Sequence, residues 1–209
     1  RFKTSLKDFI AKWGDHPLAA TASWNLARVI KDEGDWVEAR KIALQARNAH
    51  PDSNGAKQCE NLITEIESKS ANISTERVWN SEAAITVRYR NVDKVYFRAY
   101  SADWDAYLER RRSRPENINQ QERRDMLAKS PVLEWSADLP ATEDYKERSF
   151  NTPAPTTLKQ GFYFIFASHD PAFGERENQV SMSTVWVSEL ALVLRPRAGA
   201  FEGFVLEAG

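Results

Sequence analysis

The stretch Ser68-Lys69-Ser70-Ala71-Asn72-Ile73-Ser74 separates two hydrophobic rhythms. Upstream of it, Ala56, Cys59, Leu62, Ile63 and Ile66 recur every three to four positions, the spacing of one helix face. Downstream, Ile85, Val87 and Tyr89 alternate with Thr86, Arg88 and Arg90, the spacing of a half-buried strand. The polar stretch between them is therefore a boundary. The chain is predicted to be α + β and multidomain, with antiparallel helical hairpins followed by an antiparallel β-sandwich.

Reading toward the N-terminus, Leu6, Phe9, Ile10 and Trp13 share a helix face, and Gly14-Asp15 stops that helix. Pro17 sits where the next helix begins, a place that tolerates its missing N–H. Leu18, Ala22, Leu26, Val29 and Ile30 form the second stripe, and Gly34 ends it. Asp35 caps a third helix with Glu38 three residues on, and Pro51 ends that helix. Ser53 caps the fourth. The middle pair resembles a tetratricopeptide repeat through Leu26, Ala27, Ile30, Gly34-Asp35, Ala39, Ala43, Ala46 and Pro51, with the usual early Trp displaced by one place to Trp24. Stacks of this kind need neighbours to cover their open faces, so further repeats upstream are expected.

Reading toward the C-terminus, Val95, Phe97 and Ala99 alternate with Tyr96, Arg98 and Tyr100, and Leu133, Trp135, Ala137 and Leu139 give another inward face. Tyr145 to Phe150 reads as a short polar strand near an edge. Gly161 to Ala167 is apolar on both faces and belongs at the centre of a sheet. Val180 to Val187 and Leu190 to Leu194 supply the last strands. About seven short strands without alternating helices predict a sandwich. Asp103 to Lys129 breaks the pattern and predicts a helical insertion packed outside it, with Trp104, Tyr107 and Leu108 on one face and Met126 and Leu127 on another. The expected divisions are residues 1–70 for the helical domain and 71–195 for the sandwich, with the insertion at about 103–130. Residues 196–209 are expected to be a linker and the first strand of a following domain.

Lys and Arg number 29 against 30 Asp and Glu, and the net charge of −1 gives no reason to expect nucleic acid or an anionic membrane as partner. A single cysteine excludes an internal disulfide framework. The sequence has no transmembrane stretch. The opening Arg1-Phe2-Lys3 enters a helical pattern directly, and Gly203-Phe204-Val205-Leu206 reads as a strand cut short, so the chain is expected to be an internal piece of something longer.

Three stretches carry a more specific resemblance. They are His50-Pro51-Asp52-Ser53-Asn54-Gly55-Ala56-Lys57-Gln58-Cys59-Glu60-Asn61-Leu62-Ile63, Tyr89-Arg90-Asn91-Val92-Asp93-Lys94-Val95-Tyr96-Phe97 and Val185-Trp186-Val187-Ser188-Glu189-Leu190-Ala191. Together, and in that order, they are similar to the N-terminal part of the long exported α2-macroglobulin-like proteins of bacteria. In that family helical repeats precede a macroglobulin-type sandwich, and a Gly-Phe-Val-Leu strand opens the next one. The resemblance implies a protease trap, in which a protease cuts a bait segment and is enclosed; in many members a Cys-x-Glu-Gln thioester also bonds to it. It further implies export to the periplasm or cell surface, following macroglobulin domains and a target protease as partners, and an anchor or signal upstream. Gln58-Cys59-Glu60-Asn61 is not the thioester motif, so this portion is expected to be a scaffold and not an enzyme.

No catalytic, cofactor-binding or metal-ligating residue is assigned. His16, His50 and His169 are scattered and suit turn and cap positions. His169-Asp170 lacks a Gly-x-Ser-x-Gly partner. Cys59 belongs to a helix core. Arg110, Arg111, Arg112, Arg114, Arg123 and Arg124 interleave with Glu109, Glu116, Glu122 and Asp125, giving a mixed solvated surface or a docking patch for a neighbouring domain. Trp36 and Trp135 are expected on buried faces, and Trp79, Trp104 and Trp186 as contacts between the two segments. The alternative reading is a peptide- or carbohydrate-binding module of a cell-surface protein, using the repeat groove or a sandwich face.

Overall fold

The structure is a computed structural model that describes residues 1–80, 82–111, 118–176 and 178–207. Chain contacts divide it into two compact units, Arg1–Lys69 with Ala141–Glu147, and Ser70–Pro140 with Arg148–Gly209.

The first unit is four helices, α1 (Phe2–Lys12), α2 (Leu18–Asp32), α3 (Trp36–Ala49) and α4 (Asn54–Glu67). Asp35 accepts a hydrogen bond from the Glu38 amide at 3.0 Å and so satisfies one of the otherwise unpaired N–H groups that start α3. Ser53 does the same for Ala56 at the start of α4. Gly34, at φ 97°, turns the chain between α2 and α3. Ala20, Ala27, Ala39, Ala43 and Cys59 are fully buried beside Leu62, Ile63 and Ile66. Alanine brings helix axes close, and the closest approach is at Gly55, where an added Cβ would lie 2.7 Å from the Ala20 Cβ. Arg40 and Glu67, and Arg47 and Glu60, tie α3 to α4 at the surface. Lys31 pairs with Glu65.

Two expectations change in this unit. Leu18 is exposed, because Pro17 is itself the N-cap and Leu18 starts the helix on its open side. Tyr145–Glu147 is not strand: Tyr145 has φ 60°, which a strand cannot continue through. The segment instead packs on the helices, with the Tyr145 ring against the alanine core and the Arg40 guanidinium 5.5 Å from it.

The second unit holds two sheets. One is β1 (Ser70–Thr75), β3 (Ala84–Arg90) and β6 (Arg148–Pro153), in the order β1-β3-β6. The other joins β2 (Val78–Trp79), β4 (Lys94–Ala102), β5 (Leu133–Asp138), β7 (Gly161–Ser168) and β8 (Ser181–Val187), in the order β2-β8-β7-β4-β5. Ile85, Val87 and Tyr89 from the first sheet meet Val95, Phe97, Ile165 and Val185 from the second in one core. Burial of each such side chain stabilises by about 1.5–3 kcal/mol. The architecture is thus helices followed by a β-sandwich. The sandwich is not wholly antiparallel. Its two-residue β2 continues the course of β1 onto the other sheet and so lies parallel to β8, with the Trp79 indole N–H donating to Thr75 Oγ1 at 2.7 Å.

β7 is buried on both faces. Its outer face, Phe162, Phe164 and Phe166, is covered by α5 (Trp104–Arg111) and α6 (Gln120–Leu127), the expected helical insertion. Asp103 caps α5 by accepting from the Ala106 amide, and Asn119 and Glu122 form a reciprocal capping box on α6. Trp104 packs edge-on with Phe162 and with Trp186, Trp186 lies tilted against Phe162, and Trp79 is 2% exposed in the inter-sheet core. All three pack within the sandwich unit. Trp36 and Trp135 are half-buried.

Leu190–Leu194, expected as a sandwich strand, pairs with neither sheet. β9 (Leu190–Arg197) forms a separate two-stranded ribbon with β10 (Ala200–Glu207). Ala198 and Gly199, at φ 37° and 86°, make the tight turn that joins Arg197 directly to Ala200. No linker therefore begins at residue 196.

Candidate functional site

Two of the three histidines bond backbone groups. His16 Nδ1 accepts from the Leu18 amide at 3.2 Å. His50 Nε2 donates to the Gly14 carbonyl at 2.7 Å, closing the α1–α2 turn against the end of α3. His169 lies beyond β7, next to Asp170. The structure does not bring these three together. Among the described residues no three His, Cys, Asp or Glu side chains cluster as metal ligands would.

Cys59 is fully buried on α4 with Sγ 3.9 Å from the Ala20 carbonyl. Desolvation pushes its thiol up to about 11, so little of the reactive thiolate exists at neutral pH.

The histidine-bearing loop is nonetheless well organised. Asp170 accepts hydrogen bonds from the Ala172 and Gly174 amides at 3.0 Å each, and these hold its carboxyl below the usual range. Ser168 Oγ donates to the Asp170 carbonyl and accepts from Asn178, whose amide also donates to the Gly174 carbonyl. Arg98 pairs with Glu134 at 2.7 Å and lies 4.3 Å from the Phe173 ring. Arg124 grips Glu175 through two hydrogen bonds of 2.8 and 2.6 Å, fastening α6 to this loop. The arrangement is a hydrogen-bonded turn locked by ion pairs, in which the buried Ser168 hydroxyl is engaged by the Asp170 backbone and the Asn178 amide.

Of the basic run, Arg124 is thus paired, and Asp125 accepts from Gln121. Arg112, Arg114 and Glu116 lie outside the described residues.

Concave surfaces occur in both units. An open cleft of about 550 Å³ beside α6 is lined by Ile118, Gln120, Arg123, Leu127, Phe166 and Glu175 among others. In the helical unit, α1, α2 and α3 enclose a groove of about 340 Å³. Its floor is Ala19, Ala20, Leu26 and Ala46, and Lys7 and Gln45 stand at its margin. Sequence reading found the small residues at the α3 crossing. It missed Ala19 and Ala20, whose signal was the run Ala19-Ala20-Thr21-Ala22, and it missed Lys7 altogether.

No family model matches the chain, and no curated protein does. Solved structures that show a likeness include the following three. The chain is similar to native α2-macroglobulin from Escherichia coli spanning domains NIE-MG1, at 14% identity and a TM-score of 0.44 over 68% of this chain and 71% of that one. It is similar to the same protein spanning MG0-NIE-MG1, at 12% identity and a TM-score of 0.44, over 67% of this chain and 45% of that one. A truncated trimeric ectodomain of the C. elegans fusion protein EFF-1 follows at 11% identity and a TM-score of 0.34, over 65% of this chain and 24% of that one.

Proposed function

We propose that this chain is a non-catalytic scaffold portion of an exported bacterial α2-macroglobulin-like protease inhibitor. The helical unit docks or positions the molecule, and the sandwich is the first of a series of macroglobulin-type domains. The observation that carries the reading is where the three resembling stretches fall. They occupy the α3–α4 turn with α4, the β3–β4 turn, and the end of β8 with the start of β9. In the first two, apolar positions are core, namely Cys59, Leu62 and Ile63, and Val92, Val95 and Phe97; in the third Val185 is buried while Leu190 is exposed. The resemblance therefore rests on residues that fix turns and packing in both units, as expected of a shared scaffold.

Support for a non-catalytic role comes from the backbone bonds that engage His16 and His50 and from a thiol that burial keeps protonated. Export, the periplasmic or cell-surface location, following macroglobulin domains and a target protease come with the resemblance and are part of the same proposal.

The test uses the full-length gene product. Incubated with a protease that cuts it, that protein is expected to hold the protease in a higher-mass complex that still digests small substrates but not large ones. Simple degradation with the protease left free and fully active overturns the trap reading.

A second reading, a peptide-binding module, is favoured by the apolar groove between α1, α2 and α3. Peptide and glycan arrays probed with the chain decide it: no bound sequence or sugar removes this reading.

A further inference from the structure

The groove of the helical unit contains a polar group that the fold leaves unused. Helices α1 and α3 each pack on α2, so α2 is the floor of the groove and the other two are its walls. Ser23 lies on that floor, is 7% exposed, and its hydroxyl bonds to no described residue. Polar side chains inside a helix often bond the carbonyl four residues back. Asn25 does so, donating to the Thr21 carbonyl at 3.0 Å, and Ser23 does not. A buried hydroxyl left unbonded is destabilising, so a partner that enters the groove gains by bonding it.

Chain geometry sets two more polar side chains beside it. Short turns make α1, α2 and α3 successively antiparallel, so residues equally far from a turn stand at one level. Ser23 and Gln45 are each eleven residues from Gly34, and Lys7 and Ser23 are each eight from Asp15. Lys7, Ser23 and Gln45 thus form a row across the three helices, and all three line the groove. Lys3 is held by Glu33, whereas Lys7 has no ion pair among the described residues. No carboxylate stands among the described lining residues, so the row is positive. Below it the lining is smooth. Ala11, Ala19 and Ala49 make the next level, with Ala20 and Ala46 beside them, and the bond from His50 Nε2 to the Gly14 carbonyl closes that end.

A peptide brings an N–H and a C=O with every residue, and each needs a partner once buried. This groove offers its free polar groups at one level only, and its alanines form no pockets that would tell side chains apart. An alkyl chain carries no such requirement. We propose that the groove binds a medium-chain carboxylate. The carboxylate accepts from Ser23 Oγ and the Gln45 amide and lies by the Lys7 ammonium, and the alkyl chain runs over the alanines toward His50. The volume of about 340 Å³ is at the small end for ligand sites and suits a chain of about eight carbons. The ligand differs in kind from the peptide of the second reading, and the proposal does not depend on that reading.

The experiment titrates the whole 209-residue chain with sodium octanoate, octanol and butyrate, followed through backbone amide shifts by NMR. Octanoate is expected to bind one to one and to move amides of α1, α2 and α3 around the groove. Octanol lacks the carboxylate and butyrate lacks the tail, and each is expected to bind about tenfold more weakly. Ser23→Ala removes the hydroxyl at a position where alanine favours the helix, so the fold is retained, as an undiminished denaturation midpoint will show. Octanoate affinity is expected to fall about tenfold in that variant. Lys7→Gln, at an exposed position, is expected to weaken octanoate about fivefold and to leave octanol unchanged. Octanol bound as tightly as octanoate, or octanoate unaffected by Ser23→Ala, overturns the proposal. So do shifts centred outside the groove, or no binding at millimolar octanoate. A peptide that needs Ser23 and Lys7, where octanoate does not, overturns it in favour of the peptide reading.

Discussion

The two units are held together by opposite kinds of side chain. The helical unit closes on alanine: Ala20, Ala27, Ala39 and Ala43 are completely buried, and Gly55 lets α4 reach the α2 backbone. The sandwich unit closes on aromatic rings, with Phe97 stacked on Trp135 at 5.0 Å inside and Phe162, Phe164 and Phe166 under the helical insertion outside. Small residues give close approach of backbones, and large ones fill the gap of about 10 Å between facing sheets. The first unit should therefore be damaged by added atoms and the second by removed ones.

The largest effect is expected in the sandwich. Phe97→Ala removes a fully buried ring and leaves Trp135 without its stacking partner, at a cost of about 3–5 kcal/mol. Hydrogen exchange should show the loss across β4, β5 and β7, with α2 to α4 protected as before. Loss spread equally over the helices would break the contrast.

The converse change is Ala43→Leu, which forces extra carbons into the α3 crossing and is expected to cost about 1–3 kcal/mol, read as a lower denaturation midpoint of the helical unit. Gly55→Ala sharpens it further. On helix propensity alone this change would gain about 1 kcal/mol. The Ala20 Cβ at 2.7 Å makes the expected sign a loss. A stabilised Gly55→Ala variant would show that α4 has room to move off α2.

Next in size is Asp35→Ala. It leaves the Glu38 amide unpaired at the start of α3, and about 1 kcal/mol of stability is expected to go with it, measured by chemical denaturation.

These capping and crossing residues were readable because their chemistry is local. Asp35, Ser53, Asp103 and Gly34 act within three or four positions of themselves, and each stands where the spacing placed it. The central strand Gly161 to Ser168 was likewise legible from apolar residues on both faces. Tyr145 was not: its neighbours suggested strand, and only packing against the alanine core explains its left-handed backbone. The β9–β10 ribbon was missed because its turn, Arg197-Ala198-Gly199-Ala200, lacks the Asn-Gly or Asp-Gly pair that usually marks such hairpins. The groove of the helical unit was half legible: its alanines carry a spacing, whereas Lys7 reaches it from α1 through tertiary packing alone. The pairing of Arg124 with Glu175 spans 51 positions, a distance over which sequence pattern carries no signal.

The smallest expected effect is at Asp170. Its two carboxylate oxygens serve different amides, Oδ1 that of Ala172 and Oδ2 that of Gly174. Both bonds favour the charged form, the Ala172 bond most, and the carboxyl is held below its usual range of about 3.9. A group whose folded pKa is lowered adds stability that is complete above the unfolded value and disappears as pH falls through the folded one. The turn should therefore keep its full contribution down to about pH 4 and lose it only at more acid pH. Asp170→Asn separates the charge from the geometry: an amide has one oxygen, so it can accept from Ala172 or from Gly174 but not from both. Side-chain carboxyl shifts followed by NMR against pH should place Asp170 below the chain's solvent-exposed aspartates, and in the variant the Gly174 amide should exchange faster while β4 and β7 keep their protection. An Asp170 that titrates with the others would mean that solvent competes successfully for this turn. The contrast between the units would then narrow, because the loop beside α6 would owe its shape to the Arg124–Glu175 grip rather than to its own hydrogen bonds.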